Sequence, residues 1–320
     1  MRKIGVLTSG GDSAGMNAAI RAVVRTAAAK KIKVIGFIRG YEGLINSDFK
    51  ELTSRSVSGI VNLGGTILKT ARSKRFATKE GRRQAYLNLK NLGVEGLVVI
   101  GGDGSFRGAE KFGKEYDFPV IGIPATIDND IAGTDFTLGS DTAVNVALDA
   151  VDKIRDTATS MERIFVIEVM GRNCGYIALQ VALAGGCEDV LIPERKFDIK
   201  KLCENITEGN IRGKISWIVI VAEGRAKAGD IAAKIRRITG LETRVTVLGH
   251  IQRGGRPTYT DRVLGAKFGN FAVELLLNGQ TLKTVGIKAQ HLVSIDLPYA
   301  IRNKKLLEVD SYLKLIKILT

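Results

Sequence analysis

The chain is short of the residues that mark several protein classes, and each shortage removes a reading. Its 320 residues include three cysteines, two histidines, five prolines and one tryptophan. Cys174, Cys187 and Cys203 lie too far apart for a C-x-x-C metal motif, and their odd number fits a reduced compartment in which they pack as buried thiols. No run of about 18 uncharged apolar residues occurs, so no membrane-spanning helix is expected. The N-terminus MRKIGVLTSGG goes straight into a strand with no leader in front of it, which reads as a soluble cytoplasmic protein. Aromatics amount to seven Tyr, eleven Phe and the single Trp, and they do not alternate with basic residues as a base-stacking platform requires. Nucleic acid is therefore the lesser reading of the net charge of +15, beside an acidic membrane surface or anionic small molecules. Internal repeats and low-complexity linkers are missing, and so is G-x-x-x-x-G-K-[ST], which excludes a P-loop.

What remains fits a turn-rich α/β enzyme: 45% of residues are hydrophobic and 37 are glycine. Single cores stop growing near about 250 to 300 residues, so two lobes are expected. The organising stretch is residues 96–130, GLVVIGGDGSFRGAEKFGKEYDFPVIGIPATIDND. Apolar runs at 97–100 and 120–123 each end in polar chemistry, and the segment between them reads as a crossover helix joining two parallel strands. At the first strand end, Gly101, Gly102 and Gly104 let backbone amides approach a phosphate, while Asp103 supplies a hard oxygen suited to Mg²⁺. At the second end Thr126, Asp128 and Asp130 arrive together. Ligands of open α/β sheets bind beyond the carboxyl ends of the strands, so the pattern points to phosphoryl transfer.

The rest of the chain supports that centre. A strand at 4–8 runs into SGGDSAGMNAAIRAVVRTAAAK, where Gly10–Gly11 followed by a helix would aim free N–H groups at an anion or simply form a tight turn. Arg21 and Arg25 share one face of that helix. After a strand at 34–38, NLGGTILKTARSKRF contains an arginine, Arg72, suited to neutralising a transferring phosphoryl group. Tyr41 and Phe76 either pack on a base or belong to the core. The passage to a second lobe is placed near residue 138. Strands at 164–169, 190–192 and 217–222 alternate there with helices, which argues doubly wound, mostly parallel sheets. Met170-Gly171-Arg172, Glu223, Arg244, His250 and Arg253 read as strand-end groups, and such arginines suit a phosphorylated second substrate. A helix at 262–277 and a Lys-rich tail close the chain.

Taken in order, GVLTSGGD-x-x-GMNAAIR, GGT-I-L-x-TAR, VVIGGDGS, TIDNDI-x-GTDFT, DKIRDTATS, VIEVMGR, ETRVTVLGH-I-QRGG and P-T-x-x-DR resemble the phosphofructokinase family, in its bacterial ATP-dependent branch, from end to end. The resemblance implies two doubly wound lobes: residues 1–138 plus 252–305 for ATP, and 139–251 plus 306–320 for fructose 6-phosphate. It implies a homotetramer with sites at subunit contacts and transfer of the terminal phosphoryl group of Mg·ATP to O1 of the sugar. By similarity Asp128 is the base, Thr126 and Asp130 stand beside it, and Arg72 and Arg172 meet the transition-state charge. Asp103 would hold Mg²⁺. Gly11, Tyr41, Arg72, Ser73, Phe76, Gly102, Asp103, Gly104, Ser105 and Gly108 would line the ATP site. Thr126, Ile127, Asp128, Met170, Gly171, Arg172 and Glu223 would contact the sugar and transferring group. His250 and Arg253 of one subunit, with Arg163 and Arg244 of a neighbour, would hold the sugar phosphate.

Departures from the family pattern bear on donor and regulation. The pyrophosphate-dependent branch typically has Asp where this chain has Gly104 and Lys where it has Ala125, so ATP is the expected donor and pyrophosphate the close alternative. Ala125 also replaces a usual glycine, and Ala14 a usual proline. A regulatory site for ADP or phosphoenolpyruvate would use Arg21, Arg25, Arg155, Gly186, Glu188, Arg212 and Lys214, which match. Ser54 stands where an arginine is usual and Gly59 where an aspartate is usual, which implies weakened or altered effector binding. A non-catalytic sugar-phosphate sensor is the reading from another class, and the retained acids argue against it.

Overall fold

A computed structural model describes residues 1–320. In chain order the elements are β1 (Lys3–Ser9), α1 (Met16–Ala29), β2 (Lys33–Phe37), α2 (Tyr41–Asn46), β3 (Phe49–Leu52), α3 (Lys79–Asn91), β4 (Leu97–Gly101), α4 (Asp103–Tyr116), β5 (Val120–Pro124) and α5 (Ser140–Ser160). They continue with β6 (Ile164–Val169), α6 (Tyr176–Ala184), β7 (Asp189–Leu191), α7 (Ile199–Ile211), β8 (Trp217–Ala222), α8 (Ala228–Thr239) and β9 (Thr243–Val247). The last are α9 (Tyr259–Leu277), β10 (Lys283–Lys288), β11 (His291–Asp296), α10 (Leu297–Arg302) and α11 (Val309–Leu319). No helix is long and apolar enough to cross a membrane. The three cysteines are buried free thiols.

Two units form. The first comprises Met1–Thr142 and Arg253–Lys305, the second Ala143–Gln252 and Leu306–Thr320. Unit 1 holds a seven-stranded sheet in the order β11-β10-β5-β4-β1-β2-β3. Its central strands are parallel, and β3 and β11 run antiparallel at the two edges. All of β4 and β5 is buried, as expected for β-branched runs covered on both faces. One face carries α1 and α9, which approach closely because a Cβ on Gly265 would lie 2.8 Å from Ala18 and one on Gly269 2.6 Å from the Ala19 carbonyl. The other face carries α2, α3, α4 and α10 over Phe37, Phe106, Phe112 and Leu297. β1 is flanked by β2 on one side and β4 on the other, so the strand order turns outward from β1 and leaves a crevice at its carboxyl end.

Unit 2 holds a fully parallel four-stranded sheet, β7-β8-β6-β9. Its core joins Val166, Val219, Val221, Ile206 and Ile235, so the expectation of two doubly wound, mostly parallel lobes holds. The tail read only as Lys-rich ends in α11, and the helix expected at 262–277 begins three residues earlier at Tyr259, where Thr258 caps it by accepting the Asp261 N–H.

Candidate active site

At the crevice beside β1 and β4 unit 1 contains a cavity of about 510 Å³. Ser9 pairs in register with Gly101, so the two strands end level. β4 runs through Gly102 directly into α4, and the N–H groups of its first turn, with the positive end of the helix dipole, face the cavity lined by Gly102, Asp103, Gly104 and Ser105. A Cβ on Gly104 would meet nothing within 4 Å, so room is left beside this cradle. Gly10 and Gly11 also line the cavity, but α1 starts only at Met16, after a turn through Gly15 at φ +93°. Of the two outcomes expected after Gly10–Gly11, the turn is the one that precedes α1, and the helix start that lines this cavity is that of α4.

The far wall is aromatic. Tyr41 and Phe76 stack with centroids 3.8 Å apart and planes 11° apart. Both are nearly fully buried, so they are core residues whose edges border the cavity. Tyr41 donates its hydroxyl to the Ser105 carbonyl at 2.6 Å, and burial pushes its pKa upward. Ser73 donates to Glu42 at 2.5 Å and accepts the Phe76 N–H at 3.0 Å. All ten residues expected around ATP line this one cavity. Arg72 lines it with no partner for its guanidinium.

Several cavity residues were not expected. Arg107 and Lys111 lie one and two turns along α4 from Asp103, and this four-residue spacing is the signal that would have found them. Arg107 donates through Nε to Asp103 at 2.9 Å. Arg82 is 1% exposed; it binds Glu115 at 2.5 Å and the carbonyls of Phe76 and Ala77 at 3.1 and 2.7 Å. Its Nη2 has no partner, and the residue lines the cavity. No sequence signal separates such an arginine from a solvated one.

β5 delivers Ala125 and Thr126 to the same cavity. The loop beyond is pinned internally: Thr126 Oγ1 accepts the Asp128 N–H at 3.3 Å, and Thr137 donates to the Thr126 carbonyl at 2.6 Å. Asn129 donates to the Asp135 carbonyl at 3.0 Å. The loop closes on α9, where buried Asp261 accepts the N–H groups of Gly139 and Thr142 at 2.7 and 2.9 Å. Ile127 is buried and Asp128 half-buried. Burial raises the Asp130 pKa, and the neighbouring Asp103 carboxylate raises it further against a hydrogen bond from Thr126. No group of three or more potential ligands forms a metal cage. Mg²⁺ keeps waters and substrate phosphates and needs only one or two carboxylates, so Asp103 on the cavity wall fits it. Arg253 reaches the cavity from the returning chain and donates to the Asp12 carbonyl at 3.2 Å.

In unit 2 the remaining expected residues fall at opposite ends of one sheet. Met170, Gly171 and Arg172 follow the end of β6, Glu223 follows β8, and His250 follows β9. Gly171 sits at φ +140°, where a Cβ would lie 2.5 Å from the Cys174 carbonyl. Arg163 instead precedes β6, and Arg244 is the second residue of β9. Arg244 is therefore at the start of its strand and not at the phosphate-seeking end, and both arginines pair with Glu242, Arg163 at 3.0 Å. Of the effector residues, Arg155 donates to the carbonyls of Gly185 and Gly186 at 2.5 and 2.8 Å, and Lys214 pairs with Glu188 at 3.1 Å. Arg212 pairs with Glu208 at 3.5 Å. Arg21 and Arg25 lie on α1 of unit 1, where Ser54 and Gly59 are exposed.

A family model described as phosphofructokinase matches residues 3–276. An ATP-dependent 6-phosphofructokinase of Clostridium tetani is 58% identical over 301 residues, covering 94% of each chain. One from Clostridium botulinum is 51% identical over 312 residues, 98% of each. Among solved structures, phosphofructokinase from Saccharomyces cerevisiae superposes with a TM-score of 0.90 at 36% identity; this chain is covered completely and spans 47% of the yeast chain. A pyrophosphate-dependent phosphofructokinase from Marinobacter aquaeolei has a TM-score of 0.86 at 23% identity, with 97% of this chain and 86% of that one covered.

Proposed function

The chain belongs to the phosphofructokinase family, and on that premise we propose how its residues carry out the ATP-dependent phosphorylation of fructose 6-phosphate. The observation that carries the donor assignment is the cavity of unit 1. It joins an amide cradle at the start of α4 to an aromatic wall of Tyr41 and Phe76. Pyrophosphate has no use for the second part, whereas a nucleotide fills both. Arg72 neutralises the transferring group, and Arg82, buried behind the aromatic wall, holds the Phe76 and Ala77 carbonyls.

Asp128 takes the proton from the sugar O1 hydroxyl. O1 then bonds to the terminal phosphorus of ATP, the bond from that phosphorus to the bridging oxygen breaks, and ADP leaves with the electron pair. Thr126 holds the loop that carries Asp128, and Asp130, with its raised pKa, shapes the field beside it. Asp103 is the residue that would hold Mg²⁺, whose charge supplies electrostatic stabilisation of the phosphate oxygens. Phosphoryl transfer depends mainly on positioning and charge neutralisation, and a placed arginine contributes roughly 10³ to 10⁵ in rate.

Met170, Gly171, Arg172, Glu223 and Ile127 contact the sugar. His250 and Arg253 of one copy, with Arg163 and Arg244 of another, hold its phosphate. The second copy is supported by the sheet of unit 2: β6 is six residues long, so roughly 20 Å separates Arg163 from Arg172. One phosphate cannot touch both ends. A homotetramer provides the second copy, and Arg21, Arg25, Arg155, Gly186, Glu188, Arg212 and Lys214 form an effector site for ADP or phosphoenolpyruvate. Its response is weak, because Ser54 lacks a charge and Arg155 and Lys214 already have partners. The enzyme works in the cytoplasm and binds no nucleic acid.

Turnover of fructose 6-phosphate with ATP and with pyrophosphate tests the donor, and pyrophosphate turnover equal to that with ATP overturns it. Asp128→Ser should lower kcat by about 10² to 10⁴ with the fold unchanged. Near-normal turnover in that variant would remove Asp128 from the base role.

A further inference from the structure

Unit 2 contains a second cavity, of about 520 Å³, between the edge strand β7, the start of α7 and the C-terminal helix α11. None of the donor or sugar residues lines it, and of the effector residues only Glu188 reaches its edge. Its volume falls within the roughly 300 to 1,000 Å³ of small-molecule sites.

The lining divides into an apolar floor and a charged rim. Val190, Leu191, Ile192, Leu202 and Ile316 form the floor. Lys196 from the loop before α7, Lys201 from α7, and Lys314 and Lys317 from α11 stand on the rim. None of the four ammonium groups has a carboxylate partner, whereas Lys114 and Lys153 elsewhere pair with acids four residues away. Lys314 and Lys317 share one helix face, where like charges repel unless an anion lies between them and the opposite wall.

The acids of the lining are mostly engaged elsewhere, and only Asp189 interacts with one of the four lysines, Lys317, without an ion pair. Asp310 pairs with Arg195 at 2.6 Å, and Glu188 with Lys214 at 3.1 Å. Asp198 caps α7 by accepting the Lys200 N–H at 2.8 Å, and Asp189 accepts the Trp217 indole N–H at 2.9 Å. The sheet adds donors. β7 is an edge strand paired only with β8. The Glu188 N–H donates to Ile218, so the alternation of a parallel ladder turns the backbone of Asp189 and Leu191 away from β8 toward the open edge.

We propose that this cavity is a binding site for a small phosphorylated organic anion. Its apolar body lies on the floor of β7 and α7, and its phosphate is held by the lysines of α7 and α11. Lysine suits phosphate as a movable point charge. Four lysines from three separate segments give the convergence that scattered surface lysines lack.

Anilinonaphthalene sulfonate, an aromatic anion of this shape, is the first probe. It is titrated into the full-length chain with Mg·ATP saturating the donor cavity, and binding is read by energy transfer from Trp217, the only tryptophan. One ATP-insensitive site per chain is expected, emptied by phenyl phosphate. In Lys314→Glu/Lys317→Glu its affinity should fall by about tenfold or more, with kinase turnover unchanged. If that variant loses turnover through misfolding, Lys314→Ala/Lys317→Ala decides by the same measure. Complete displacement of the probe by Mg·ATP, or unchanged affinity in a folded variant, overturns the site. Displacement by trimesate but not by phenyl phosphate overturns the phosphate assignment.

Discussion

Replacing Arg82 by Met tests whether the wall of the donor cavity is held up from behind. The guanidinium is 1% exposed and joins α3 to Glu115 of α4 at 2.5 Å. It also donates to the Phe76 and Ala77 carbonyls. Removing one member of a buried ion pair costs about 3 to 5 kcal/mol. Glu115 is 26% exposed, so water recovers part of that cost. The two carbonyls lose about 1 kcal/mol each, and the Met side chain restores much of the packing of the arginine stem. A net loss of about 3 kcal/mol is expected for unit 1, read as a lower urea midpoint. The companion Arg82→Met/Glu115→Gln removes the stranded charge and should recover about 1 to 2 kcal/mol of it. Because Phe76 moves with its carbonyl, KM for ATP should rise by about tenfold while kcat changes little. A midpoint within about 0.5 kcal/mol of the parent, or a double variant no more stable than the single one, would refute the reasoning.

A Cβ on Gly11 would lie 2.6 Å from Arg253 Nη1. Gly11→Ala should therefore push that guanidinium aside and raise KM for fructose 6-phosphate severalfold, an effect that steady-state kinetics would detect and that an unchanged KM would deny. Burial pushes the Asp189 pKa up to about 6 from its ordinary 3.8, against the hydrogen bond from Trp217. Between those values the folded chain keeps a proton that the unfolded chain has released, so Asp189 costs stability as pH rises through about 4 to 6, and the penalty is complete above that range. Asp189→Asn keeps an acceptor for Trp217 and should stabilise the protein by up to about 3 kcal/mol at pH 8, less at pH 5. Equal gains in melting temperature at both pH values would contradict this.

How far the sequence discloses this molecule varies from element to element. β4 and the start of α4 were legible because a β-branched run ending in Gly-Gly-Asp-Gly has few other outcomes, whereas the ten residues expected around ATP came from the family resemblance, and what the fold adds is that they line one cavity. The hairpin of β10 and β11 was not, because its two-residue turn places Ala289 and Gln290 at φ +47° and +67°, where Asn-Gly or Asp-Gly is the usual signal. β9 escaped because Thr243–Val247 is a short run of threonines and valines broken by Arg244 and is largely exposed. Position along the strand decides what Arg244 can do, and a sequence without β9 put it at the wrong end. Gly10–Gly11 left two outcomes open in the sequence, an anion-facing helix start or a tight turn, and only the tertiary path shows that α1 waits until Met16. Arg82 is legible only in three dimensions, since nothing in its spacing marks an arginine as buried.

Glu242 carries a consequence for how the sugar phosphate is received. Its carboxylate already occupies Arg163 and Arg244, and the two guanidinium groups hold its pKa below the usual carboxylate range. If Arg163 and Arg244 hold the sugar phosphate as proposed above, that phosphate must evict an internal tenant before it gains its own contacts, so its affinity would be the difference between two anions competing for one pair of cations. The chain thereby carries its own weak antagonist, and the strength of that antagonist sets how much substrate is needed before the arginines change hands.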